Sequence, residues 1–223
     1  MNNELISSYW FAKEVVMEKG YREEVLWQEN LDFQDLDERT FLKEIAWVIL
    51  SSGMREKVVR SLFPAISACF YDWESSRRIV RNRRTCLTKA LRNFNNRPKI
   101  SAIVTAAKRI DESGFQEIKE NILRDPSGTL TSFDFIGPVT YFHLAKNIGL
   151  RVAKPDRHLV RMSRMEGYDD VQDFCRQISI ATGDSIPVVD IALWRFATIE
   201  PHSLNLFFRD LIESPVGRTR GSS

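Results

Sequence analysis

The chain has 223 residues, 43% of them apolar and 28% charged, and a formal net charge of +2 at pH 7. This is the composition of an ordinary soluble protein with enough apolar residues for one or two packed cores. No apolar run reaches the about 20 residues of a membrane-spanning helix, and MNNELISSYW lacks the basic start and apolar core of a signal peptide. We therefore expect a cytoplasmic protein with no membrane partner.

Apolar residues at helical spacing run through the first half of the chain. Residues 4–30 are amphipathic, and the acidic segment LDFQDLDERT leads into a helix with a buried face. Thr40 is the predicted N-cap of that helix, and Gly53 is its predicted end. Further apolar helical faces occupy residues 59–70, 103–110 and 115–122.

The small net charge hides a strong asymmetry. Residues 75–110 contain eleven Lys and Arg and no Asp or Glu, whereas residues 1–74 contain eight basic and fourteen acidic residues. A block of this kind creates a positive field that attracts polyanions such as DNA. A solvated helical face would give the same pattern.

Residues 131–161, TSFDFIGPVTYFHLAKNIGLRVAKPDRHLVR, predict two helices joined by a tight turn and then a third helix. Gly137 is expected to supply the positive φ of the turn, and Pro138 suits the first position of the second helix. Gly149 should end that helix. Asp156, after a proline, should begin the third helix.

Helical patterns continue to the end of the chain. One helix should end near Gly183, another should start at Ser185, and Ser203 should cap the last one. The final residues, SPVGRTRGSS, are polar and are expected to fray. Because no alternating strand pattern or hairpin dipeptide occurs, we predict an all-α fold.

Two of these motifs resemble those of the helix-hairpin-helix DNA glycosylase superfamily. FIGPVTYF stands where members such as endonuclease III and the alkyl-purine glycosylases carry a hydrophobic-Gly-hydrophobic-Gly hairpin followed by Thr, and PDRHLVR stands where they carry the catalytic aspartate. FLKEIAWVILSSGMREKV is similar to the family's early helix and DNA-inserting turn, and RPKISAIVTAAKRI is similar to the helix before the hairpin. The resemblance spans residues 41–161.

The resemblance implies a two-lobed helical fold with a cleft between the lobes. One lobe would comprise residues 38–148, and the other residues 1–37 with 149–213, followed by a flexible tail at 214–223. It also implies a monomeric enzyme that rotates a damaged or modified base out of double-stranded DNA and hydrolyses its N-glycosidic bond. Such a protein would be nucleoid-associated if its source is prokaryotic.

Asp156 is the predicted catalytic residue, because it stands at the position of the family's catalytic aspartate. A carboxylate beside the sugar would stabilise the positive charge that develops there and could orient an attacking water. An aspartate at a helix start is also a common N-cap, and the two roles can coexist. Val139 stands where bifunctional members carry a nucleophilic lysine, so we predict a glycosylase without lyase activity. Lys146 and Lys154 leave weak lyase activity open.

Four residues are candidates for the base pocket. Val139 and His143 lie four apart on one helical face, which in the alkyl-purine branch points at the flipped base. Trp10 and Trp47 could stack on the base. For His143 the alternative is a packed or surface histidine, and for the tryptophans it is a place in the core.

Residues predicted to contact DNA form three groups. The hairpin amides should bind a phosphate at the start of a helix, the early turn should push into the base stack, and basic residues near Asp156 should meet phosphates. The groups are, respectively, Ile136, Gly137, Pro138 and Thr140; Ser51, Met54 and Arg55; and Lys154 and Arg157.

Phe135 is a departure from the family pattern, because it occupies the position of the first hairpin glycine. A non-glycine residue there should either adopt another backbone angle or carry strain. The cofactor features also differ. The chain lacks the clustered cysteines of the iron–sulfur members and the zinc ligands of the 3-methyladenine glycosylase I branch, so no metal or other cofactor is expected. In the family, hairpin carbonyls can hold a monovalent cation, and the resemblance extends that option to this chain.

Several functions remain open at this point. The base could be an alkylated purine, towards which the missing lysine and cysteines lean, or a hypermodified base of foreign DNA. A helix-hairpin-helix protein could also bind DNA without catalysis. A helical protein-interaction domain is the third alternative, and the basic block argues against it.

Overall fold

The computed structural model describes residues 3–201. Within that range every regular element is a helix, which confirms the all-α prediction. None of the helices in the described range has both the length and the apolar character needed to cross a bilayer. The helix predicted from Ser203 and the tail predicted at 214–223 lie outside the described residues.

The chain divides into two compact units, one formed by residues 30–154 and the other by the described residues on either side, 3–29 and 155–201. The helices of the first unit are α3 (Glu38–Ser51), α4 (Glu56–Cys69), α5 (Ser76–Arg81), α6 (Arg83–Asn93), α7 (Arg97–Ser113), α8 (Phe115–Arg124), α9 (Pro126–Thr131) and α10 (Pro138–Asn147). Those of the second are α1 (Asn3–Val16), α2 (Arg22–Glu29), α11 (Arg157–Met165), α12 (Val171–Thr182) and α13 (Ile186–Ile199).

The 30–154 unit extends beyond the predicted bounds of 38–148 at both ends. Phe33 and Leu36 are buried in its core, and the Lys119 ammonium donates hydrogen bonds to the carbonyl oxygens of Gln34 and Leu36 at 2.6 and 2.9 Å. These contacts explain why the residues just before α3 belong to this unit.

The helix ends follow ordinary capping rules, with one correction. Asp37, not Thr40, is the N-cap of α3, and its carboxylate accepts a hydrogen bond from the Thr40 amide at 2.7 Å. That bond lowers the pKa of Asp37. The ends predicted at Gly149 and Gly183 are confirmed, since both glycines follow a helix at positive φ.

A strained turn connects α4 to the basic helices α5 and α6. Tyr71, Asp72 and Trp73 all have positive φ, between 50° and 63°, a conformation that costs energy outside glycine. Trp73 is buried, stacks on Phe70 with ring centres 5.1 Å apart, and donates from Nε1 to Ser67 at 3.0 Å. These contacts hold the turn in place ahead of α5.

In the unit formed by the two chain ends, paired charges join helices distant in sequence. The Lys13 ammonium of α1 binds both carboxylate oxygens of Asp184 at 2.7 and 2.8 Å, and buried Tyr9 donates its hydroxyl to the same carboxylate. Arg195 of α13 pairs with Glu24 of α2 at 2.6 Å. Both pairs are largely shielded from solvent, so their loss would leave a buried charge unpaired.

Candidate functional site

The turn between α9 and α10 spans residues 132–137 and carries its strain at Phe135 rather than at a glycine. Phe135 has φ +65°, whereas Gly137 has φ −94° and is extended. The prediction that Gly137 supplies the positive φ is therefore wrong. Of the two outcomes expected for Phe135, the structure shows the strained one, because the turn keeps a left-handed residue although its side chain is bulky.

Thr140 holds the turn together from inside α10. Its hydroxyl accepts a hydrogen bond from the Gly137 amide at 2.7 Å and lies 3.1 Å from the Phe135 carbonyl, to which it can donate. The Ile136 amide donates to the Phe133 carbonyl at 3.1 Å. Ile136 itself is buried, so its side chain is a core residue.

These bonds reduce the set of hairpin amides that a phosphate could use. The amides of Ile136 and Gly137 are bonded within the turn, and Pro138 has none. Among the described residues, no acceptor faces the amides of Val139 and Thr140. The predicted cradle of amides from 136 to 140 therefore contracts to two, at the positive end of the α10 dipole.

The hairpin turn and the end of α3 line one surface depression of about 630 Å³. Its walls are formed by Ser52 and by residues 131–140. The depression opens to solvent beside Phe135 and Val139, whose side chains are 40% and 52% exposed. Two segments that the sequence singled out separately, the turn after α3 and the hairpin, thus meet within one unit.

Lys99, in the first turn of α7, joins these two segments. Its ammonium donates to the carbonyl oxygens of Leu50, at 2.7 Å, and of Ser52. These carbonyls lie at the end of α3 and have no partner within the helix. The same ammonium lies 5.8 Å from the centre of the Phe135 ring. Only 5% of Lys99 is exposed, and burial lowers its pKa.

Two of the three DNA contacts predicted at the turn after α3, residues 51–54, and at the adjoining Arg55 are exposed to solvent. Met54 is 38% exposed and Arg55 is exposed. Gly53 takes φ +67°, and the Met54 amide donates to the Ser51 carbonyl at 3.0 Å. The Ser51 hydroxyl is buried and has no partner among the described residues. Met54 and Arg55 can therefore reach a ligand, whereas the Ser51 side chain cannot.

One side of α10 carries polar residues that the sequence did not connect with α3. Asn147 donates to the buried Glu44 carboxyl of α3 at 2.8 Å.

Although part of His143 reaches the surface, burial lowers the pKa of its imidazole well below the ordinary value, and Lys154 and Lys146 lower it further. His143 is thus neutral near pH 7, with one nitrogen to donate and one to accept a hydrogen bond.

The two tryptophans proposed for the base pocket differ in their surroundings. Trp47 is half-buried and packs edge-to-face against Phe63, with ring centres 5.1 Å apart. This is the core alternative given above. Trp10 is exposed, and the Lys13 ammonium lies 5.4 Å from its ring centre. Trp10 keeps a surface that could stack on a ligand.

Asp156 is the N-cap of α11. Its Oδ1 accepts hydrogen bonds from the amides of His158 and Leu159 at 2.9 and 3.0 Å. The structure gives Oδ2 no hydrogen bond or ion pair within residues 3–201. The capping role is therefore confirmed, and one oxygen remains for another role. Arg157 beside it is exposed, and Lys154 is half-buried.

The basic block forms the exposed surface of α5 and α6. Arg77 and Arg78 lie near acids, but six other exposed cations in this part of the chain have no acidic partner among the described residues. These are Arg81, Arg83, Arg84, Lys89, Arg92 and Arg97. On α6, Cys86 and Ala90 are buried, whereas Lys89 and Arg92 are exposed and, three residues apart, are neighbours on the helix surface.

Sequence reasoning missed Lys99 and Glu44, although a signal existed for both. Each stands at a helical interval from apolar core residues: Lys99 four before Ile103, and Glu44 three after Phe41. A charged residue on a buried face needs a partner, so its presence in such a pattern predicts a specific contact.

Within residues 3–201, no group of three His, Cys, Asp or Glu is placed to hold a metal ion.

Comparison of the chain with protein-family models, with curated proteins and with solved structures finds no match.

Proposed function

We propose that the protein is a monofunctional DNA glycosylase with the two-lobed helix-hairpin-helix fold of that superfamily. The observation that carries the proposal is the α9–α10 hairpin followed by Asp156, whose Oδ1 caps α11 while Oδ2 makes no hydrogen bond among the described residues. The hairpin offers two amides for a phosphate, and the aspartate offers a fixed negative charge. Anchoring the backbone and stabilising the sugar cation are the two tasks of such an enzyme.

Asp156 would act on the sugar rather than on the base. Cleavage of the N-glycosidic bond leaves positive charge on the deoxyribose. A carboxylate about 4 Å away at an effective dielectric near 20 would stabilise that charge by about 4 kcal/mol, which is roughly a thousandfold in rate. The two amide bonds to Oδ1 also keep the side chain from turning away.

Water is the proposed nucleophile. Val139 stands at the position of the lysine in bifunctional relatives, and its apolar side chain is exposed at the start of α10. An apolar side chain cannot attack the sugar, so the carboxylate would orient water instead. Neutral His143, on the same face of α10 as Val139, is the candidate for reading the edge of the flipped base.

The charge distribution supports DNA as the partner. Six exposed cations without acidic partners on α5, α6 and the start of α7 give one unit a positive surface. Phosphates neutralise such a surface and release counterions, which drives association. The favoured base is an alkylated purine, because its own positive charge weakens the bond; hypermodified bases of foreign DNA are the alternative substrate.

A second candidate function has a specific observation in its favour. Because Asp156 caps α11, an aspartate would be useful at this position in a helix-hairpin-helix protein that only binds DNA. Such a protein would bind duplexes but leave every base intact.

The decisive experiment compares Asp156→Asn with wild type on duplexes that carry a panel of alkylated and hypermodified bases. Asparagine is as good an N-cap as aspartate, so the fold should be preserved while the negative charge is removed. Single-turnover excision should fall roughly a thousandfold, and DNA affinity should not fall. Asp170→Asn is the matched control, since Asp170 caps α12 through the Gln172 amide at 3.0 Å.

Full activity of Asp156→Asn would contradict the catalytic role. Binding without excision of any base by the wild-type protein would favour the non-catalytic alternative.

A further inference from the structure

Phe135 combines three properties that core packing does not explain. Its backbone is left-handed at φ +65°, where a phenylalanine is strained. Its side chain is 40% exposed, so the strain is not compensated by full burial. It also lines the depression formed by the hairpin and Ser52. Glycine would adopt this turn without strain, so the large side chain calls for another explanation.

One contact holds the Phe135 backbone, and another lies beside its ring. The Thr140 hydroxyl lies 3.1 Å from the Phe135 carbonyl. The Lys99 ammonium lies 5.8 Å from the ring centre and is itself bonded to the carbonyls of Leu50 and Ser52. A lysine held in this way favours one ring position through its attraction to the aromatic face.

The neighbours of Phe135 suit a nucleic acid strand. Val139 lines the same depression and is 52% exposed, so the two apolar side chains form its solvent-facing rim. The amides of Val139 and Thr140, which have no acceptor among the described residues, begin α10 next to this apolar rim. A phosphate on those amides would bring the attached nucleotide close to Phe135.

We propose that the Phe135 ring stacks on a nucleobase of the DNA strand that binds the hairpin. Stacking on an aromatic ring is independent of base identity, because every base has an aromatic face. The contact would hold the strand. It would also lower the free-energy cost of rotating or unstacking a base there. The inference rests on the DNA-binding part of the proposed function and does not depend on catalysis by Asp156.

Phe135→Gly tests the proposal because stability and binding should respond in opposite directions. Glycine removes the strain, so thermal unfolding should occur at the same or a higher temperature than in wild type. Affinity for a short duplex with one mismatched 2-aminopurine should nevertheless fall about tenfold, the usual effect of losing one stacked base. The quenching of 2-aminopurine fluorescence on binding should be lost as well.

Two further variants separate stacking from structure. Phe135→Tyr keeps an aromatic face and should keep wild-type affinity and quenching. Leu123→Ala is the control, since Leu123 is also an exposed apolar residue of the same unit but does not line the depression. Its binding should match wild type.

Unchanged affinity and quenching in Phe135→Gly would overturn the inference, as would equal losses in Phe135→Tyr. If wild type binds but excises nothing while Phe135→Gly binds more weakly, the glycosylase proposal fails and this one stands. If wild type excises and Phe135→Gly binds and quenches normally, only this inference fails. A wild-type protein that does not bind DNA would overturn both.

Discussion

The Asn147 side chain donates a hydrogen bond of 2.8 Å to the Glu44 carboxyl, and both residues are almost fully buried. The bond joins α3 to α10, the helices that carry the exposed turn at 51–54 and the hairpin. Burial raises the pKa of Glu44 from 4.5 to about 7, an effect that the bond from Asn147 and the charge of Lys43 only partly offset. Glu44 is therefore close to half-protonated at neutral pH.

The raised pKa predicts a pH-dependent stability. Between the unfolded pKa of 4.5 and the folded value of about 7, the folded state binds a proton that the unfolded state has released. The free energy of unfolding contributed by Glu44 is therefore greatest below about pH 4.5 and falls as pH rises to 7. Glu44→Gln removes this titration, so at pH 8 the variant should be more stable than wild type by a few kcal/mol.

Chemical denaturation of both proteins from pH 5 to pH 8 measures the effect as a difference, which cancels the contribution of other groups. Glu117→Gln, which removes an exposed carboxylate of α8, is the control variant. A constant stability difference between wild type and Glu44→Gln across this range would contradict the assignment.

Substitutions of Asp156 should separate its two roles. Asp156→Ala loses the bonds to the amides of His158 and Leu159 and should lower the free energy of unfolding by about 1 kcal/mol. Asp156→Asn keeps a capping oxygen and should remain within about 0.5 kcal/mol of wild type. We expect excision to be lost in both variants. If excision instead followed stability, being lost only in Asp156→Ala, Asp156 would be a cap alone.

The sequence predicted those parts of the fold that local chemistry determines. Helical periodicity and the stops at Gly149 and Gly183 required no tertiary information. The strained Phe135 could not be assigned to one of its two expected outcomes, because Thr140 and Lys99 hold the turn through contacts formed only on folding. The N-cap of α3 was misassigned because Asp37 and Thr40 both have side chains that can cap a helix.

The chemistry of the site was also predictable where it depends on local sequence, and not where it depends on contacts between distant segments. The position of Asp156 at a helix start follows from the Pro-Asp pair, and the capping geometry agrees. The partners of Lys99 and Glu44 come from segments distant in sequence, so periodicity could identify these residues but not their contacts. The hairpin amides were overcounted because the Gly137 amide donates to Thr140 and the Ile136 amide to Phe133, and because Pro138 has no amide hydrogen.

Gly149 should be the least replaceable glycine among residues 3–201. It has φ +92°, and a Cβ placed there would lie 2.4 Å from the Phe33 backbone nitrogen. Gly149→Ala should therefore lower the free energy of unfolding by at least about 2 kcal/mol, from backbone strain together with displacement of the segment before α3. Gly167→Ala is the control, since it adds strain at φ +79° but meets no atom within 4 Å. Equilibrium denaturation measures both variants, and equal losses in the free energy of unfolding would contradict the contact.

Borohydride should trap no covalent adduct between the wild-type protein and DNA that carries a base the protein excises. Val139 has no amine, and Lys146 is almost fully buried on α10, so no exposed amine is positioned on that helix to attack the sugar. A protein–DNA adduct that survives electrophoresis in a denaturing gel would contradict this expectation. If an adduct forms, Lys146→Gln and Lys154→Gln identify its source, because only loss of the reacting lysine abolishes it.

The exposed cations of α5 and α6 should determine how strongly salt weakens DNA binding. Arg81, Lys89 and Arg92 have no acidic partner among the described residues, so they are available to pair with DNA phosphates. Each phosphate contact contributes about 0.9 to the slope of log affinity against log salt concentration. The triple substitution to glutamine should therefore reduce the slope by up to about 3, and the affinity difference from wild type should be largest at low salt. Fluorescence anisotropy with an undamaged duplex measures both quantities.

Paired cations of the same unit provide the control for that measurement. Lys108 and Arg124 are exposed but lie 3.5 and 3.4 Å from Glu112 and Glu120, respectively. Because each already has a counterion within the protein, substitution of both by glutamine should change the slope by less than about 1. A triple variant with the wild-type slope would show that α5 and α6 form a solvated surface, and the DNA contacts would then have to lie at the hairpin and the turn after α3.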